Sequence, residues 1–265
     1  MMNDVFYSPG FAPRTSGKQE TIIMERPLLA TPFQRGALYY FLQVMATISG
    51  LLIASGGALL VVGSALAIHD APYYYRTIGI LYIVAFSLWA AASFFGFLSS
   101  LGVFSHKTRS SYHAFGMWSN VVFLIGSACL IVAASFWTAR SDNGLVDAGF
   151  VIAIAGAAIV FVHFAIRALS TATDAVRLYR QYGPDNLNLS YTIVTKEHLV
   201  SVHFNGLASV FYAVASTVLV LGSIIYLEFN RNTAFLMLLN QATILWIVSG
   251  GLYLIGGLFQ AIGRR

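Results

Sequence analysis

The chain has 265 residues, 58% of them hydrophobic and 9% charged, and its mean hydropathy is +0.74. Soluble domains carry about 25% charged residues, so this composition excludes a water-soluble globular domain and calls for lipid as the solvent. A formal charge of +5 without a clustered basic patch excludes a nucleic-acid partner and points to anionic membrane lipid.

Residues 1–37 read as a flexible cytoplasmic tail. Pro9, Pro13, Pro27 and Pro32 are scattered among Arg14, Lys18, Arg26 and Arg35. The tail lacks the apolar core of a signal peptide, and Asp4, Glu20 and Glu25 argue against a mitochondrial presequence.

Six apolar stretches follow, at 38–68, 78–103, 114–138, 148–170, 204–227 and 234–261. Each reaches the roughly 20 residues that a membrane-spanning helix needs. None contains an acidic side chain, and Arg167 is the single basic one. The expected fold class is an all-α integral membrane protein. It is a bundle of six transmembrane helices from three hairpin repeats at 38–103, 114–170 and 204–261, with a cytoplasmic connection over 171–203.

The basic residues set the orientation. Arg14, Lys18, Arg26, Arg35, Lys107, Arg109, Arg167, Arg177, Arg180, Lys196, Arg264 and Arg265 fall on one side of this topology. Arg76, Arg140 and Arg231 fall on the other. Twelve against three predicts both termini in the cytoplasm of a bacterial inner (plasma) membrane.

The outer connections read as short loops. His69 to Thr77 carries Pro72-Tyr73-Tyr74-Tyr75, an aromatic belt at headgroup depth. Ala139 to Asp147 carries the turn signal Asp142-Asn143-Gly144, and Glu228 to Thr233 is barely a turn. On the inner side, Ala172 to Tyr182 predicts a helical continuation of the fourth span, ended by Gly183-Pro184-Asp185-Asn186. Leu189 to Thr195 has strand-like composition.

Two hairpins align with each other. Tyr112-His113-Ala114-Phe115-Gly116-Met117-Trp118-Ser119 matches Val202-His203-Phe204-Asn205-Gly206-Leu207-Ala208-Ser209 at His, Gly and Ser without gaps. Shared apolar composition is the plainer account; an internal repeat is the favoured one. The run Asn120-Val121-Val122-Phe123-Leu124-Ile125-Gly126-Ser127, the later pair Ala155-Gly156, and the ending His163-Phe164-Ala165-Ile166-Arg167 resemble the YrhK-like family. The resemblance covers about residues 112–170 and, more loosely, 199–265. It implies a two-helix membrane building block and brings no activity and no catalytic residues.

Polar residues inside spans are costly and so are the candidates for function. The spans hold no interior carboxylate of the kind that proton-coupled transporters use. His113, His163 and His203 all fall near the cytoplasmic ends of their spans. Convergent neutral imidazoles would suit haem, a metal or a quinone; the plainer account is amphipathic residues at an interface. Gln43, Thr47, Asn120, Ser127, Asn205, Ser209, Ser216, Asn240 and Gln241 form a second set, read either as helix-to-helix glue or as the lining of a polar pathway.

Small residues recur at four-residue spacing, which lets backbones approach closely. The packing candidates are Gly50, Ala54, Ala92, Gly96, Gly149 and Ala153. No nucleotide-binding, zinc-protease or nucleophile-elbow motif occurs. The expectation is therefore no enzyme, no catalytic residue, no metal and no cofactor. The favoured role is a packing or accessory subunit, or a self-associating protein in a homo-oligomer or larger membrane complex. Two alternatives stand beside it. One is a redox protein that binds a cofactor (haem, metal or quinone) through the histidines. The other is a facilitative channel or carrier for a small neutral solute.

Overall fold

Lipid offers no hydrogen bonds to the main chain, so a spanning chain must satisfy its peptide groups within each segment. The computed structural model describes residues 37–101, 111–139, 143–186, 193–231 and 236–263. Among these residues every element is an α-helix: α1 Ala37–Leu101, α2 Ser111–Ala139, α3 Asn143–Asn186, α4 Ile193–Arg231 and α5 Leu236–Ile262. Six stretches are long and apolar enough to cross a membrane: Tyr40–His69, Tyr75–Ser100, Met117–Ala139, Gly144–Thr173, Val202–Asn230 and Leu239–Ile262. They are called spans one to six below. A multi-pass membrane protein is the class these six spans define.

Helix α1 holds two spans. A straight helix of its 65 residues would be about 97 Å long. Yet Ser49 Oγ donates to Ala92 O at 2.8 Å, so the element doubles back between spans one and two. The reversal falls within the expected loop at His69–Thr77, whose residues nevertheless belong to α1 without an interruption. Three other expectations change in the same direction. Asn143 to Asp147 belongs to α3, and Glu228 to Arg231 belongs to α4. The last three residues of the proposed strand, Ile193-Val194-Thr195, open α4 as helix; residues 189–192 lie outside the described ones. Helical propagation from a long span outweighs local strand or turn propensity. The continuation of span four is helical as expected, since α3 runs to Asn186. With these longer spans, Asp147 and Glu228 fall just inside the ends of spans four and five.

The unit from Gly36 to Arg265 packs as a ring in chain order. Spans one and two meet at Ser49–Ala92, and spans two and three where Asn120 Nδ2 donates to Ser100 Oγ at 3.3 Å. Spans three and four meet at Gly126–Gly156, and four and five where Phe164 lies 4.4 Å from Tyr212. Ser249 Oγ donates to Ala215 O at 2.8 Å between spans six and five. Spans six and one close the ring through two glycine pairs, Gly50–Gly257 and Gly57–Gly250.

Buried positions recur every seven residues. Span one buries Ala46, Ile53 and Leu60; span six buries Trp246, Tyr253 and Gln260. That period belongs to the shallow left-handed crossings of coiled-coil-like bundles. Large aliphatic side chains such as Leu51, Ile80, Ile125, Val151, Val214 and Ile244 point outward. The interior instead takes aromatics, alanines and serines. This arrangement follows from lipid being as apolar as leucine, so that helices associate through close packing and hydrogen bonds.

Candidate functional site

Aromatic rings fill the axis of the ring. One continuous path leads from Phe150 to Tyr226 at 5.3 Å, Trp246 at 5.7 Å, Tyr82 at 5.0 Å and Phe86 at 6.3 Å. It continues to Trp89 at 5.4 Å, Tyr253 at 4.1 Å, Tyr212 at 5.8 Å and Phe164 at 4.4 Å. His163 at 4.5 Å and Phe123 at a further 5.0 Å end it. Trp89, Tyr212, Tyr253 and Trp246 are all essentially fully buried. Aromatic residues in membrane proteins usually gather at the two interfaces. Their mid-span positions were the sequence signal for this column, and it was missed.

Glycines make room for the largest rings. The Trp89 ring occupies the place of a side chain at Gly56, Trp137 that at Gly149, and Trp246 that at Gly222. Each adjacent pair of spans (one and two, three and four, five and six) thus carries one tryptophan set onto one glycine. Trp89 Nε1 also donates to Ile53 O at 3.2 Å, whereas the buried Nε1 atoms of Trp137 and Trp246 meet no protein acceptor.

Hydroxyls satisfy themselves locally. Thr47, Ser127, Ser209 and Ser216 each donate to the carbonyl four residues earlier, the back-bonding usual in helices. Ser216 also shares a hydrogen bond with Tyr253 Oη, as Ser64 does with Tyr82 Oη at 2.9 Å. Tyr212 Oη donates to Gln260 Oε1 at 3.2 Å, and Gln260 Nε2 donates to Ala46 O at 3.4 Å. One glutamine thereby joins spans five, six and one. Of the amide set, Asn120 bonds across spans as expected, Asn205 is half-buried, and Asn240 and Gln241 face outward. Ser49, Ser64, Ser249 and Gln260 were not among the candidates. Their seven-residue register with buried neighbours was the available signal.

The packing candidates all lie at contacts within one chain. Gly50 and Ala54 face span six at Gly257, and Ala92 accepts from Ser49. Gly96 receives the Asn120 side chain, Gly149 receives Trp137, and Ala153 is fully buried. Their surfaces are thus occupied by the protein's own helices.

The three histidines differ from one another. The side chain of His113 lies outside the described ones, although the residue sits in α2. His203 is exposed at the start of span five. His163 is completely buried, stacked on Phe123 with ring planes 7° apart and set edge-on to Phe164. The Ser119 backbone lies on its polar edge, but neither ring nitrogen makes a hydrogen bond of normal geometry with the protein. One turn on, the charge of Arg167 is within electrostatic reach of both His163 and Tyr212. No group of three or more His, Cys, Asp or Glu side chains that could hold a metal ion occurs among the described residues.

No protein-family model, curated protein or solved structure matches this chain.

Proposed function

We propose that this is a non-enzymatic membrane protein that works by association, as an accessory subunit or a self-associating unit. The observation that carries the reading is a ring of spans whose aromatic interior is packed and whose small-residue faces are spent on internal contacts. What remains for other molecules is the apolar outer wall and the basic end segments. On this reading both termini lie in the cytoplasm of a bacterial inner membrane. The twelve-to-three distribution of basic residues supports that orientation. The match of Tyr112–Ser119 with Val202–Ser209 supports a chain built from two-helix modules of the YrhK-like kind. The tryptophan-on-glycine contacts keep one order in the first and third pairs of spans, Gly56 with Trp89 and Gly222 with Trp246, and the reverse order in the second, Trp137 with Gly149.

Purification in mild detergent, with mass measurement of the intact particle and identification of co-purifying proteins, tests the role. A stoichiometric partner or a defined oligomer supports it; a lone monomer in detergent and in nanodiscs sinks it. Fusion of a cytoplasm-active and a periplasm-active reporter after Gly263 tests the orientation, and activity of the periplasmic reporter would reverse it.

The unpartnered imidazole of His163 favours a second reading, a redox protein holding haem, metal or quinone. An absorption spectrum and metal analysis of the purified protein decide that case. The small-solute carrier draws less support, because most hydroxyls of the expected pathway are bonded to their own helices; liposome flux above empty-vesicle controls would revive it.

A further inference from the structure

We draw no further inference here: the strongest candidate, the outward apolar stripe of α3 on which Ile166, Leu169 and Val176 stay exposed to the end of span four and past it, is an unpartnered helix face, and nothing in the structure shows what covers it.

Discussion

Gly57 and Gly250 meet back to back. A β-carbon on Gly57 would fall 2.6 Å from Gly250 O, and one on Gly250 would fall 2.7 Å from Gly57 O. Seven residues away on each helix, Gly50 and Gly257 repeat the contact at 2.9 and 2.5 Å. Both pairs belong to the seam that closes the ring.

Gly57→Leu should therefore weaken the fold itself, by at least about 1–3 kcal/mol, because backbone cannot move aside as a side chain can. Gly251 neighbours this seam, but a β-carbon there meets nothing within 4 Å. Gly251→Leu should be nearly silent. Thermal unfolding in detergent, followed by fluorescence size exclusion, checks the contrast; equal midpoints for the two variants would refute the seam.

Trp89 and Trp246 offer a controlled comparison. Both are buried against a glycine, but only the Trp89 indole has a hydrogen-bond acceptor. Replacing either by Phe removes similar volume. Trp89→Phe should cost about 0.5–1.5 kcal/mol more than Trp246→Phe, the worth of one hydrogen bond. Reversible unfolding in mixed micelles measures the difference, and the opposite ranking would contradict it.

Tyr212 and Gln260 should be energetically coupled. A double-mutant cycle with Tyr212→Phe and Gln260→Leu is expected to give a coupling of about 0.6 kcal/mol, the average for hydrogen bonds within membranes, and no more than about 1.7 kcal/mol. Strict additivity would mean that the 3.2 Å contact carries no stability.

Gly96 and Asn120 should behave non-additively. A β-carbon at Gly96 would fall 2.6 Å from Asn120 Oδ1. Gly96→Ala should destabilise the wild type by about 0.5–1.5 kcal/mol, less than Gly57→Leu, because the Asn120 amide can turn aside at the cost of its bond to Ser100. It should cost little once Asn120→Ala has removed that amide. The same unfolding assay reads this; an undiminished penalty in the Asn120→Ala background would locate the strain elsewhere.

Six spans and an all-helical fold were legible because the apolar runs are long and the inserted charges few. Span ends were less legible. Asp147 and Glu228 read as loop residues, yet helix carries each into its span, and Asn230 Nδ2 bonds Asp147 Oδ1 at 2.6 Å there. The small-residue faces were read at four-residue spacing, and Gly50 and Ala54 do meet Gly257 together; the seven-residue repeat of the contact was not read. Residues four apart, such as Gly50 and Ala54, stay near one face for a turn or two. The ring closes on residues seven apart, Gly50 with Gly57 and Gly250 with Gly257, because tilted helices meet along a 3.5-residue seam. Nor does equal depth in the membrane make residues neighbours. His163 and His203 are near the same end of their spans, but one faces the aromatic interior and the other faces out. Rotation about the helix axis decided this, and it is set by partners on other spans.

The glycine seam also bears on the order in which the chain is strung. Gln260 reaches Ala46 O, and Ala261 lies against Gly50, so the first span begins beside the place where the sixth ends. A gene rearranged to start at span three, with a short linker from span six to span one and the 102–110 connection left open, retains every contact between neighbouring spans. Such a permuted protein should insert and fold to the same ring, and sequence order and spatial order then become separable variables.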